Sequence, residues 1–374
     1  MHSPAISDER DGWLRTEPLQ LRSDVEFITG AGGRPMLVSP HGKFLTISPS
    51  GVTIIRRLDR PTTGQALITT LLAEHPEQET SIRTVLPVFL TDLRRASLLT
   101  IDPEPPSRSW TDTFTRWGKL DPVKRFPLIR DPNRFSSPVS RLVARVPVPL
   151  LYAALVLLPL TSIALLGPAL RVPPVDPPTA AVFAGVIAVM LCEIFLHESA
   201  HAIAMAFNRV RAKDAGVGLL FRFIPLAYVD RTDSYRHQGR FGRVLISLVG
   251  PLVDLVLAGV SAAVILNSSG AVATFFHLLL LMQILSLLAN LNPLFPSDGY
   301  HAIEAAVGSI NMRSRALTYA LHKVSRRALP LYLRSVSRRV RVGYVVYVAL
   351  SVGYTLLVAA ILVANILTLA SRLV

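Results

Sequence analysis

The sequence predicts a mainly α polytopic membrane bundle of about five spans, preceded by a small α+β soluble domain. Three observations carry this. Of the 374 residues, 51% are hydrophobic and 17% charged, and the mean hydropathy of +0.43 lies well above that of a soluble globular chain. Five apolar runs, 148–169, 180–207, 244–266, 271–291 and 342–369, are each long enough to cross a bilayer. The first hundred residues, by contrast, have the polar fraction of a soluble domain. The chain therefore divides into a tail at 1–21, a soluble domain at 22–103, a basic, proline-rich juxtamembrane linker at 104–143 and a membrane domain at 144–374.

The opening segment, MHSPAISDERDGWLRTEPLQ, has no apolar core and carries acids, so it does not read as a secretory signal, and the N-terminal domain is expected in the cytosol. Within that domain, RPMLVS and FLTIS read as two strands around the turn PHGK, with Gly42 as the turn residue. Pro49 and Ser50 open a short helix, and Thr62 or Thr63 caps a second that begins near Gly64. Residues 81–96 have the apolar spacing of a third helix, and 98–101 read as a last strand.

The net charge of +14 raises the question of nucleic acid. The third helix offers only Arg83, Arg94 and Arg95 beside Glu77, Glu79 and Asp92, a weak phosphate footprint, so no nucleic-acid partner is expected. Most Lys and Arg residues instead gather beside the apolar runs, where each adds about 1 kcal/mol of attraction to an anionic leaflet. In the linker, Trp110, Trp117 and Phe126 are interleaved with that charge, a mix suited to the headgroup layer.

The same asymmetry orients the spans. Segments 208–243 and 292–341 are rich in Arg and Lys, whereas the connections RVPPVDPP and NSSG hold only Arg171. The positive-inside rule then puts both basic segments in the cytosol and the C-terminus outside a multi-pass cell membrane. A single cysteine, Cys192, excludes an intrachain disulfide, and its spacing from His197 assigns it to helix packing.

Inside the second span lies HESAH. On a helix, His197 and His201 stand one turn apart and can share a metal at about 2.0–2.1 Å, with Glu198 facing the open position as a general base. Ionisable residues are costly in hydrocarbon, so this cluster points to a functional site, expected about 10–15 Å below the cytosolic surface. A catalytic zinc takes three protein ligands and a water. Asp298, in NLNPLFPSDGYHAIE, is the leading third ligand, because Pro293 and Pro296 break the fourth span and Gly299 permits a turn; His301 and Glu304 are rivals. Glu193, one turn before His197, either orients a ligand's free ring nitrogen or bonds a neighbouring helix as a neutral carboxyl.

HESAH followed by NPLFPSDG resembles the site-2 protease family of intramembrane zinc metalloproteases, over residues 141–374. The resemblance implies His197, His201 and Asp298 as ligands of one zinc and Glu198 as base, with Asn292 and Asp254 as candidates either to support the ligands from outside or to position the substrate. Ser297 stands where the family has an apolar residue, and Asp254 where it often has asparagine. The segment FLTISPSGVTIIRRLDRPTTGQALITTLLAEHP looks like the winged-helix domain of PqqD, a leader-recognition element in the maturation of ribosomally made peptides.

Together the two resemblances imply a membrane-embedded endopeptidase whose partners are the bilayer and a leader-bearing precursor. One alternative substrate is a single-span regulatory protein such as an anti-sigma factor. Another reading is a non-proteolytic receptor or export partner with a structural metal. The run 216–229, rich in Phe and Leu, is expected either to present an extended edge for an unwound peptide or to pack as a re-entrant loop.

Overall fold

The computed structural model describes residues 12–39, 44–101, 123–173, 177–220, 224–334 and 336–371, and it separates into two compact units, Met1–Ser109 and Trp110–Val374.

In the first unit, helix α1 (Trp13–Thr16) leads into strand β1 (Pro18–Leu19), which pairs antiparallel with β5 (Thr62–Thr63). A second sheet joins β2 (Glu26–Gly30), β3 (Arg34–Val38) and β4 (Phe44–Thr46) in that order, all antiparallel, with Leu37 opposite Leu45 and Ile28 opposite Met36. The two strands expected at 34–39 and 44–48 do pair; their turn, with Gly42, lies outside the described residues. The sequence reading did not foresee β2, whose EFITG offers one buried position at its end and no sustained alternation.

Helix α2 (Pro49–Arg57) starts where Ser48 accepts a hydrogen bond from the Gly51 N–H and Pro49 presets the first turn. Thr63 does the same for α3 (Gly64–Glu74), accepting from Ala66 N–H. Helix α4 (Glu79–Arg95) closes the core, and the expected last strand shrinks to one bridge, Leu21 to Leu99. Leu19, Leu37, Leu58, Ile68, Leu90, Leu93 and their neighbours form one continuous apolar core, so this unit buries its own hydrophobic surface.

The second unit holds five helices of membrane length, which makes the chain a membrane protein. The sequence reading placed the region before them in a linker. Its described part instead contains strand β6 (Val123–Ile129) and helix α5 (Asn133–Val143), while Trp110 and Trp117 lie outside the described residues. Next come α6 (Val148–Ala169) and α7 (Ala180–Phe207), each with the ends expected from hydropathy.

Strands β7 (Ala215–Leu220) and β8 (Ile224–Val229) then pair antiparallel in a sheet of order β6-β7-β8, so the described residues of the run 216–229 are extended. Gly216 is required there, because a Cβ would lie 2.1 Å from the Phe126 carbonyl oxygen of β6. Arg125 reaches from β6 to Asp230 at 3.1 Å and ties that strand to the residue after β8.

Helix α8 (Arg240–Leu266) is the hub, packed against α6, α7, α9 (Gly270–Asn290) and α10 (Asp298–Val307). Small residues allow this. Ala258 and Ala262 are fully buried, and Gly259 leaves room for the Ser162 hydroxyl of α6, which a Cβ would meet at 2.3 Å. Helices α11 (Met312–Val324), α12 (Leu331–Arg334) and α13 (Arg338–Ser371) complete the unit. Cys192 is exposed on α7, so it faces outward instead of packing between helices.

Candidate metal centre

Helix α7 carries His197 and His201 on its buried face, 6% and 0% exposed. Asp298 is brought to them by a turn that the sequence encodes locally. Ser297 accepts from the Tyr300 N–H and so caps α10, which explains a hydroxyl at a position where an apolar residue was expected. Its own hydroxyl donates to the Asn292 carbonyl. Asn292 Oδ1 accepts from Leu294 N–H at 2.9 Å and from Thr355 Oγ1 at 3.2 Å. Asn292 thus shapes the turn and braces α13.

The three side chains converge. His197 Nε2 lies 3.0 Å from Asp298 Oδ2, His201 Nε2 lies 3.2 Å from the same oxygen, and the two Nε2 atoms are 3.2 Å apart. The other ring nitrogens are committed. His201 Nδ1 donates to the Ile246 carbonyl at 2.6 Å, and His197 Nδ1 is 2.9 Å from Asp254 Oδ2. With each Nδ1 proton so placed, neutral imidazoles turn both Nε2 lone pairs toward Asp298. Three electron-rich atoms facing one point at this spacing form a cation site: a tetrahedral ion with legs of about 2.0–2.1 Å separates its ligand atoms by about 3.3–3.4 Å.

Gly250 of α8 keeps that point open, since a Cβ there would sit 2.5 Å from the Nε2 of both histidines. Among the described residues, His197, His201 and Asp298 are the group positioned to hold a metal ion.

The rivals go elsewhere. Glu304 accepts from Tyr235 Oη at 2.7 Å, Tyr300 Oη at 2.8 Å and Met312 N–H at 3.2 Å, and His301 lies beside it, so both stand outside the donor group. Glu193 accepts from Gln283 Nε2 of α9 at 2.7 Å, a bond to a neighbouring helix and not to a ligand histidine. Asp254 instead orients His197 as an outer partner. Asn290, not singled out from sequence, approaches Asp254 at 3.4 Å.

Glu198 lies on the same turn of α7, and its Oε2 accepts the Val229 N–H of β8 at 2.7 Å. Arg231, just past β8, was also missed: its Nη2 is 2.6 Å from Asp298 Oδ1. Burial alone would raise the Asp298 pKa, but the Arg231 charge and then His201 outweigh it and hold the carboxylate well below its usual range. Arg231 is held above its ordinary value because Asp298 and Glu198 outweigh its own desolvation. A lone cation after an apolar strand, in YVDRTDSY, was the available signal for it.

Two family models match the chain. Residues 185–275 match Peptidase family M50, the site-2 protease family, and residues 35–99 match Coenzyme PQQ synthesis protein D (PqqD). They are the two resemblances read from sequence, in the same order. The first indicates an intramembrane metalloprotease of a zinc-dependent family, and the second a peptide-maturation context. No curated protein and no solved structure matches the chain.

Proposed function

We propose that this protein is a zinc-dependent intramembrane endopeptidase that cleaves a ribosomally synthesised peptide precursor held by its N-terminal domain. The observation that carries the reading is the closed triangle of His197 Nε2, His201 Nε2 and Asp298 Oδ2 beside a glutamate on the same helix. In this reading His197, His201 and Asp298 hold the metal, with Asp254 and the Ile246 carbonyl fixing the two ring orientations. When bound, zinc supplies the Lewis acidity that polarises a peptide carbonyl and brings the pKa of water to about 7.

Glu198 takes the proton of the attacking water and returns it to the leaving amine. Its carboxylate is aimed by the Val229 N–H, so the base is fixed to the strand that meets the substrate. A helical substrate has no free backbone edge, so the scissile segment must unwind first. Strand β8 lies at the edge of its sheet among the described residues and can pair with that segment by strand addition. The positive-inside pattern supports a cytosolic placement for the N-terminal unit and the metal-bearing end of α7. The PqqD match supports a leader-bearing precursor over a single-span regulatory protein.

The decisive experiment compares four variants. Glu198→Gln should keep zinc yet lose turnover by several orders of magnitude, because the ligands remain and the base does not. Asp298→Ala should lower zinc content, whereas His301→Ala and Glu304→Ala should not. Near-normal precursor processing by Glu198→Gln would defeat the peptidase reading.

A further inference from the structure

Arg231 has no place in the triangle itself, yet it touches two of its members. Nη2 binds Asp298 Oδ1 at 2.6 Å, the oxygen turned away from the histidines, while Oδ2 faces both Nε2 atoms. The guanidinium thereby divides the carboxylate into one oxygen for the arginine and one for a metal. Nη1 lies 3.3 Å from both Nδ1 and Nε2 of His201. Equal distances put it on the plane midway between the two ring nitrogens, off the Nε2 lone-pair direction, so it lies against the ring without capping the electrons that a metal needs.

The placement is specific to this arginine. Its neighbour Asp230 is engaged by Thr232, whose N–H donates at 2.8 Å, and by Arg125 at 3.1 Å, which turns the intervening chain so that Arg231 points inward. Arg231 lies two residues past the end of β8, whose Val229 N–H holds Glu198. One strand end therefore fixes both the base and the carboxylate ligand.

We infer that Arg231 is a positioning residue that holds Asp298 in a one-oxygen presentation to the metal and so sets the metal affinity of the site. The inference rests on the zinc reading above. A guanidinium suits the task because its fork reaches the carboxylate and the imidazole together, which an ammonium does not. Without it, Asp298 is free to rotate or to turn both oxygens toward the metal, at the expense of the three-ligand geometry that leaves a position for water.

The test is zinc affinity, measured on the full-length protein in detergent by competition with a chromophoric chelator. Arg231→Met should weaken zinc binding by about 10–100-fold, the range typical for loss of a ligand's outer partner, and Arg231→Lys should weaken it less. In an Asp298→Asn background the further change Arg231→Met should shift affinity by less than about threefold, because the two residues act as a unit. Unchanged or tighter zinc binding in Arg231→Met would overturn the inference. So would an equal loss in the Asp298→Asn background. Either result with zinc-loaded wild type sinks this inference alone, whereas wild type that binds no zinc would remove the zinc reading and this inference with it.

Discussion

The residue with the least chemistry, Gly250, sets the tightest condition on the metal centre. Ala at this position would put a methyl group 2.5 Å from both histidine Nε2 atoms, with α8 backbone on one side and α7 on the other. Overpacking of this kind costs about 1–3 kcal/mol, and here the strain falls on the ligands, so Gly250→Ala should weaken zinc binding by about 10–100-fold. Zinc content after dialysis against graded chelator checks this, and wild-type retention would show that the helices move apart at little cost. His197, Glu198, His201 and Asp298 were legible in the sequence because each belongs to a short motif whose spacing implies its geometry. Arg231 was not legible as a partner, and Asp254 was legible only as a candidate with no particular ligand assigned, since each reaches its ligand only after distant segments pack, 57 residues apart for His197 and Asp254. Glu193 shows the converse: helical spacing placed it near His197, but the Gln283 amide of another helix claims it.

Elements that lie beyond the spans also anchor α10, and one of their fastenings is the carboxylate of Glu304. Held by Tyr235, Tyr300 and the Met312 N–H, it ties α10 to the segment after β8 and to α11. Burial alone would raise the Glu304 pKa. His301 first, then Tyr235 and Tyr300, outweigh that penalty and leave it below the ordinary value. A carboxylate with a folded pKa below its unfolded value of about 4.3 contributes stability that is fully present above that pH and lost as pH falls through the folded value. Glu304→Gln should therefore lower the melting temperature at neutral pH and flatten its decline below about pH 4.3, with a residual slope from Asp298, whose pKa is also depressed. Melting curves of both proteins across that range decide it; an unchanged acid slope would mean that the network does not support the fold. The ends of α6 and α7 were readable because hydropathy and length act locally, whereas α8 and α13 each begin four residues before the expected run, at Arg240 and Arg338, where basic residues extend the helix beyond the apolar stretch. The pairing of β6 with β7 was not readable, because VKRFPLI alternates poorly, contains Pro127, and acquires its partner only across the two membrane helices α6 and α7.

At the scale of the whole molecule, a PqqD-like segment and an M50-like membrane segment share one chain, and in the proposed function this makes capture and cleavage separable in kinetics. The first unit closes its own core of leucine and isoleucine. If it holds the leader by strand addition, tethering sets an effective substrate concentration of about millimolar at the membrane unit, and a weakly recognised cleavage sequence is still processed. Binding of this kind is equal in ground and transition states, so it acts on KM and not on kcat. A chain starting at Val123 should then show a raised KM for the full precursor and nearly unchanged kcat, while cleavage of a peptide lacking the leader should be the same with or without the first unit. Mainly apolar strand pairing should also persist at about 0.5 M salt, where an interaction carried by surface charge is largely screened. Equal KM values for the two proteins on the full precursor would remove the leader-binding role and leave cleavage of a single-span regulatory protein as the better account of the membrane unit.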